Sequence, residues 1–146
     1  MNLRKMQPDD LDACVNLLME TYNPPPWNNH WTQATGTKYL SELVLNDNFI
    51  GYVITESGML LGALFARRKT WWTNDEIFIE ELFIKPDYQR QGYGEKLIAQ
   101  AEKLAEEWGL GGVTLLTNKY HPAKLFYEKR GYTAAEHVLF MYKETE

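Results

Sequence analysis

The sequence QRQGYGEK, residues 89–96, separates an apolar run that is typical of a strand from an amphipathic run that is typical of a helix. Gly92 and Gly94 remove side chains from the backbone at the bend. The helix that follows begins with amides that have no partner inside the helix, and such amides can bind an anion. The stretch is therefore either a phosphate-binding turn or an ordinary tight corner, and only the surrounding sequence distinguishes the two.

Two common glycine-rich motifs do not fit this stretch. A Walker A loop needs Gly-Lys-Ser/Thr, whereas Gly94 is followed by Glu95 and Lys96. The dinucleotide fingerprint needs a third glycine at the position of Leu97 and an early βαβ unit, which this sequence lacks. What remains is a strand, a turn and a helix with free backbone amides beside Arg90, which suits a pyrophosphate.

The hydrophobic pattern predicts the element order β-α-α-β-β-β-α-β-α-β in one mixed α/β (α+β) domain, residues 1–146. The predicted strands are NLRKM (2–6), FIGYVIT (49–55), MLLGALFARR (59–68), EIFIEELFI (76–84), VTLLT (113–117) and HVLFMYK (137–143). The predicted helices are Leu11 to Tyr22, about Thr35 to Val44, the glycine turn to Trp108, and HPAKLFYEKR (121–130).

The composition excludes several classes of function. With 15 basic and 20 acidic side chains and a net charge of -5, the chain is not expected to bind nucleic acid. Cys14 is the single cysteine and falls on an apolar helix stripe, so we interpret it as a core residue rather than a nucleophile. The histidines His30, His121 and His137 have no ligand spacing, and no metal site is predicted.

The sequence also gives an expected location. The stretch MNLRKMQPDD has no apolar region of the signal-peptide kind, and no window approaches the ~20 apolar residues of a membrane span. We therefore expect a cytoplasmic protein with no membrane partner.

Two motifs resemble those of the GNAT superfamily of N-acetyltransferases. The stretch FIEELFIKPDYQRQGYGEKLIAQAEKLA (78–105) is similar to the family's acetyl-CoA-binding core, and Gln89-x-x-Gly92-x-Gly94 matches its signature Gln/Arg-x-x-Gly-x-Gly/Ala. The stretch AKLFYEKRGY (123–132) is similar to the family's late helix, Ala-x-x-Phe-Tyr-x-x-x-Gly-Phe/Tyr. The resemblance implies the GNAT fold, a mixed, mostly antiparallel central sheet of about six to seven strands flanked by about four helices. Residues 1–70 resemble the family only in layout.

The resemblance implies an enzyme that transfers an acetyl group from acetyl-CoA directly to a primary amine. Such a reaction uses a base for the amine proton, a carboxylate or a water, and an acid for the leaving thiolate. Tyr127 matches the family's general-acid tyrosine, and Glu80 aligns with its more usual glutamate, with Glu81 as second choice. Strand alternation predicts that the two glutamates lie on opposite faces, so that only one faces the substrate.

The resemblance also assigns contacts to acetyl-CoA. It implies that the backbone of Leu82, Phe83 and Ile84 binds the pantetheine arm. It implies that the pyrophosphate lies on the turn formed by Gln89, Arg90, Gln91, Gly92, Tyr93, Gly94 and Glu95. The Glu95 carboxylate would compete with a phosphate there, so we expect it to point outward. Asn118 is a further candidate, although the family's asparagine position is occupied here by Tyr120.

The tryptophans mark a candidate acceptor site. Trp27, Trp31, Trp71 and Trp72 lie in the two least regular stretches of the sequence. Acceptor sites in this fold are built from the first helix pair and the hairpin loops, so these four residues and Glu80 are candidates for binding substrate. Aromatic faces beside carboxylates bind cations, which suits a small-molecule or peptide amine. Alternatively, the tryptophans pack the hydrophobic flank or a homodimer contact.

Two other functions stay open. A non-catalytic acyl-CoA-binding module of the same fold would bind the cofactor without turnover, and the presence of Tyr127 and Glu80 speaks against it. An unrelated nucleotide- or protein-interaction domain would have no affinity for CoA, and its QRQGYG would be only a corner.

Overall fold

The computed structural model describes residues 1–120 and 122–145, and the chain divides into two compact units. The first unit, Met1–Leu116, contains a five-stranded sheet and three α-helices, and the second, Thr117–Glu146, contains the last helix. Among the described residues, no helix combines the length and the apolar character needed to cross a membrane.

The strands of the sheet lie side by side in chain order: β1 (Asn2–Lys5), β2 (Phe49–Glu56), β3 (Met59–Lys69), β4 (Glu76–Ile84) and β5 (Val113–Leu115). The first three pairings are antiparallel and the β4–β5 pairing is parallel. The β2–β3 hairpin turns at Ser57 and Gly58, whose φ angles of 51° and 80° suit a two-residue hairpin turn. The predicted mixed, mostly antiparallel sheet is confirmed, but the described residues form five strands rather than six or seven.

The strand that was predicted but does not form is HVLFMYK. Residues 137–143 carry no strand, and the side chains from Leu139 to Tyr142 are 78–81% exposed. A short apolar run that contains Val, Phe and Tyr favours extended backbone, but a strand also requires a partner strand for its hydrogen bonds. Here the amide of Val138 bonds locally, to the carbonyl oxygen of Ala135 (3.0 Å). The prediction of a last strand in this segment is wrong.

Helices cover both faces of the sheet. Helices α1 (Leu11–Tyr22) and α2 (Gln33–Val44) pack on the face that carries Phe65 of β3 and Phe83 of β4. Helix α3 (Tyr93–Glu107) packs on β2, β3 and β4 with the opposite set of alternating strand residues. Cys14 is fully buried in the α1 layer, and burial raises the pKa of its thiol to about 12. Its predicted place in the core is confirmed.

The second unit contains helix α4 (Ala123–Lys129), which follows Pro122. The predicted helix also included His121, which lies outside the described residues. The helix stops at Gly131, whose φ of 92° is a left-handed conformation that favours glycine. The Tyr127 ring contacts Tyr132 edge-on, with 5.6 Å between the ring centroids.

Candidate active site

The glycine turn presents unbonded amides at the start of α3. Arg90 and Gly92 have positive φ angles of 62° and 90°, and Gly92 caps the helix. The first hydrogen bond of the helix runs from the Lys96 amide to the Gly92 carbonyl oxygen (3.2 Å). Among the described residues, no group accepts a hydrogen bond from the amides of residues 90–95. A β-carbon at Gly92 would meet no atom within 4 Å, so the space beside Gly92 is open. Unbonded amides at the start of a helix can bind an anion.

The two glutamines of the turn have structural hydrogen bonds. Gln89 Nε2 donates to the Ile84 carbonyl oxygen (3.0 Å), and Gln91 Nε2 donates to the Asp87 carbonyl oxygen (3.2 Å). The Gln89 amide donates to Pro86 (3.3 Å), so this predicted phosphate contact is already bonded within the protein. The Glu95 side chain is exposed. The groups of the turn that can bind a ligand are therefore the backbone amides of residues 90–95, not the glutamine side chains.

The second half of β4 has one open edge. β5 pairs with β4 only at Ile77–Ile79, so in the described chain no strand follows β4 on that side from residue 80 to residue 84. The Phe83 side chain is 2% exposed and belongs to the core. The Leu82 and Ile84 carbonyl oxygens already accept hydrogen bonds from Tyr22 Oη (3.2 Å) and Gln89 Nε2 (3.0 Å). What residues 82–84 can offer to a ligand is therefore mainly their backbone amides.

A β-bulge lies at the two glutamates of β4. In the β3–β4 ladder, Phe65 is opposite Glu81 whereas Ala66 is opposite Ile79, so Glu80 is an extra residue on β4. An extra residue breaks the period of two on which the prediction of opposite faces rested. That prediction is wrong, and both glutamates lie on the same face of the sheet.

The partner of Glu80 confirms this geometry. Arg67 lies two residues after Phe65 on β3 and therefore on the same face. Its Nε donates to Glu80 Oε1 (2.8 Å). Because Phe65 is itself opposite Glu81, the shared face is the one that packs against α1 and α2.

Tyrosines from both of these helices lie at Glu81. Tyr39 Oη of α2 donates to Glu81 Oε2 (2.5 Å). The Tyr22 hydroxyl of α1 donates to the carbonyl oxygen of the next residue, Leu82 (3.2 Å). Burial raises the pKa of Glu81, the charge of Glu80 raises it further, and the hydroxyls of Tyr39 and Tyr22 oppose the rise. Burial also raises the pKa of Tyr39, which keeps its hydroxyl protonated as a donor.

Trp27 and Trp31 lie against the same two tyrosines. The Trp31 ring stacks on Tyr39, with 5.0 Å between centroids and 17° between planes. Trp27 meets Tyr22 edge-on at 5.5 Å. The first predicted tryptophan pair therefore supports the side chains that hold Glu81.

Trp71 and Trp72 have a different setting, just after β3. The Lys69 ammonium lies 5.2 Å from the centroid of the Trp71 ring, and Asp75 pairs with Arg68 (3.0 Å). Trp72 is 85% exposed. The Trp71 ring and the Asp75 carboxylate could bind a substrate cation, but they already contact cations of the protein itself.

The remaining candidates belong to the second unit. Asn118 is exposed, and its Oδ1 accepts from the Tyr120 amide (2.8 Å). Tyr127 lies on α4 with its ring partly buried. The functions predicted for these two residues stay predictions.

Sequence reasoning missed Tyr22, Tyr39 and Arg67 as parts of the site. Tyr22 entered the prediction only as the last residue of the first helix, and Tyr39 lies 42 positions before Glu81, beyond the reach of any local spacing. Arg67 had a weak signal, because pairing MLLGALFARR with EIFIEELFI as antiparallel neighbours brings its arginines near the glutamates.

The fold and the amide-lined turn define the class of protein. Residues 11–132 match the family model described as Acetyltransferase (GNAT) family, and the chain belongs to this family.

The chain is similar to one curated protein and to several solved structures. The chain is 28% identical over 130 residues to a Bacillus subtilis (strain 168) protein provisionally named a ribosomal protein bS18 alanine N-acetyltransferase, covering 88% of this chain and 78% of the relative. It is similar in structure to a possible acetyltransferase from Clostridium difficile 630, with a TM-score of 0.82, 18% identity and coverage of 99% and 98%. It is also similar to AAC(6')-Iy in complex with the bisubstrate analogue CoA-S-monomethyl-acetylneamine, with a TM-score of 0.77, 19% identity and coverage of 99% and 98%. At these identities the solved structures establish a shared fold.

We expect Glu81→Gln to remove a pH dependence of stability. Because the folded-state pKa of Glu81 lies above its ordinary value of 4.5, the folded protein binds this proton more tightly than the unfolded chain does. The free energy of unfolding contributed by Glu81 therefore falls as pH rises from about 4.5 through the folded-state pKa. The variant lacks this fall, so it gains stability relative to the wild type as pH rises.

Urea denaturation of both proteins at several pH values between about 4 and 8 measures this difference. Glu42→Gln, which removes a carboxylate from an exposed position of α2, is the matched control. A difference between Glu81→Gln and the wild type that stays constant with pH would mean that the pKa of Glu81 is not raised.

Proposed function

We propose that this protein is an acetyl-CoA-dependent N-acetyltransferase that acetylates a primary amine in a ternary complex. One observation carries the proposal: a single strand, β4, holds a carboxyl of raised pKa and leads into a turn with unbonded amides. Family membership supports acetyl transfer as the chemistry. The Bacillus subtilis relative is named provisionally for acetylation of a ribosomal protein alanine, and AAC(6')-Iy binds a bisubstrate analogue that contains acetylneamine, so both names point to an amine acceptor.

The contacts proposed for acetyl-CoA use the backbone of this chain. The amides of Arg90, Gln91, Gly92, Tyr93, Gly94 and Glu95 would bind the pyrophosphate, and the open edge of β4 at residues 82–84 would bind the pantetheine arm. The unbonded amides and the open space at Gly92 support this fit. When bound, acetyl-CoA supplies the thioester from which the acetyl group is transferred.

Glu81 is the base in this proposal, ahead of Glu80. An alkyl ammonium with a pKa of ~10.4 must lose a proton, which costs about 4 to 5 kcal/mol at pH 7. A carboxylate whose pKa is raised accepts that proton more readily than an ordinary one, directly or through a water. Glu80 is instead paired with Arg67 at 2.8 Å, so its carboxylate already has a cationic partner within the protein.

Tyr127 is the acid in this proposal, and its support is the match of AKLFYEKRGY to the family's late helix. The parent thiol of the leaving group has a pKa of ~8.5, so a hydroxyl that donates to the departing sulfur assists its release. Trp27 and Trp31, which contact the tyrosines around Glu81, are proposed to flank the acceptor amine. Trp71 and Trp72 would lie farther along the acceptor.

We expect acetyl-CoA to bind and Gly92→Ala to weaken its affinity about tenfold or more. The added methyl group occupies the open space above the amides and forces a side chain into a left-handed backbone. Isothermal titration calorimetry measures the affinity. Gly58→Ala is a matched control, because Gly58 also has a positive φ of 80° with open space around its β-carbon, yet lies in the β2–β3 turn.

Two results would contradict the proposal at different levels. Absence of acetyl-CoA binding by the wild type excludes both the enzyme and the alternative acyl-CoA-binding module. Binding without thiol release across a panel of primary amines leaves only the module. Cys14 is buried and does not add to a thiol assay of the folded protein.

We expect Glu81→Gln to lower kcat about 100-fold and to remove the acidic limb of the pH–rate profile, because the base is lost. Glu80→Gln should keep that limb and shift it to lower pH, since the charge of Glu80 raises the pKa of Glu81. Steady-state thiol release from pH 5 to 9 measures both profiles. If only Glu80→Gln loses the acidic limb of the pH–rate profile, Glu80 rather than Glu81 is the base.

We expect Tyr127→Phe to lower kcat about tenfold or more while the calorimetric affinity for acetyl-CoA stays within about twofold of wild type, because only the proton donor is removed. Tyr142→Phe, at a 78% exposed position, is the control. Equal turnover of Tyr127→Phe and wild type would remove Tyr127 from the mechanism.

A further inference from the structure

The sheet face that carries Glu81 holds cations as well as carboxylates. On β3, Arg67 and Lys69 alternate onto this face, and Lys69 is opposite Glu76 in the ladder. Glu76 therefore joins Glu80 and Glu81 on the same face of β4. Three carboxylates against two cations leave one negative charge on this face when all of them are ionised.

Both cations are fixed in place by aromatic rings. The Arg67 guanidinium lies 5.3 Å from the centroid of the Phe78 ring, in addition to its pair with Glu80. The Lys69 ammonium lies 5.5 Å from Phe78 and 5.2 Å from Trp71. Such contacts hold a cation without neutralising it, so the positive charge of Lys69 stays on the face.

The parts of the two neighbouring helices closest to Tyr22 and Tyr39 add no net charge. On α2, the exposed residues closest in sequence to Tyr39 are Lys38, a cation, and Glu42, a carboxylate one turn further. On α1, Glu20 lies two residues before Tyr22 and is paired with Lys85 (2.9 Å). Just after β3, Asp75 is paired with Arg68 (3.0 Å). The surroundings of Glu81 can thus balance one additional positive charge, whereas a second would lie near Arg67 and Lys69.

We infer that the acceptor brings one positive charge to this face, the reacting ammonium itself, on a neutral or acidic chain such as a peptide N-terminus. Amines that carry several ammonium groups close together are poor acceptors, because each additional charge meets the β3 cations. This inference rests on the proposed N-acetyltransferase function and adds the charge class of its substrate. The faces of Trp27 and Trp31 suit an uncharged neighbour of the amine.

Thiol release from acetyl-CoA at low ionic strength tests the inference with matched acceptors. One peptide has an N-terminal alanine followed by serine and glutamate, and its partner has lysines at those two positions. Spermidine and neamine complete the panel, and an N-acetylated copy of the first peptide is the blank. We expect kcat/KM for the first peptide to exceed that for each polycation at least tenfold. Equal or higher values for the polycations overturn the inference.

Two variants test whether the β3 cations set this preference. Lys69→Gln and Arg67→Gln should each reduce the ratio of kcat/KM between the two peptides about fivefold, because one unit charge near the site is removed. Lys103→Gln removes the same charge from an exposed position of α3 and should leave the ratio unchanged. An unchanged ratio in both Lys69→Gln and Arg67→Gln overturns the inference even if the wild type prefers the first peptide.

The possible results of these assays distinguish the inference about acceptor charge from the proposed acetyltransferase function. Efficient turnover of spermidine or neamine contradicts the charge class and leaves the acetyltransferase function standing. Thiol release with none of the amines contradicts the acetyltransferase function itself, and the inference falls with it. Lys69→Gln remains informative if Arg67→Gln fails to fold, because Lys69 has no carboxylate within ion-pair distance in the described chain.

Discussion

The β-bulge at Glu80 is the constraint on which the arrangement of the site depends. In a regular strand one of the two glutamates would point toward α3, whose side chains Leu97 and Ile98 are fully buried. The extra residue turns both carboxyls to the face of α1 and α2, where Glu81 meets Tyr39 and Glu80 meets Arg67. Two adjacent carboxylates repel, and their separate partners offset that repulsion.

The strand that carries the bulge also fixes the turn. Glu81 and Ile84 are three residues apart on β4, a span of about 10 Å in extended backbone. The Gln89 side chain then bonds back to the Ile84 carbonyl oxygen, and Gln91 bonds to Asp87. These bonds hold the start of α3 to the end of the strand, so the carboxyl and the unbonded amides have a fixed separation. On the proposed function, that separation sets the reach between the reacting amine and the pyrophosphate.

The local sequence pattern was enough to predict most of the helices and strands. It failed where the structure depends on which segments pair with each other. The bounds of β4 and the start of α3 at the glycine turn follow from apolar runs and punctuating residues. The bulge does not, because it is a property of the β3–β4 register rather than of β4 alone. The prediction for HVLFMYK failed for the same reason, since a short apolar run favours extended backbone but does not specify a partner strand. The Tyr39–Glu81 hydrogen bond joins two segments that are far apart in the sequence. Only the folded structure shows that these segments meet.

The cations of β3 connect the basicity of the site to its choice of acceptor. A face that attracted polycations would need more carboxylates around Glu81, and each of them would raise the pKa of Glu81 further. Beyond some number, Glu81 would be protonated at neutral pH and could no longer accept a proton from the amine. Arg67 and Lys69 instead offset part of the carboxylate charge on this face, with Arg67 Nε 2.8 Å from Glu80 Oε1. A single buried base that must stay ionised is thus easier to reconcile with an acceptor of one charge than with an acceptor of several.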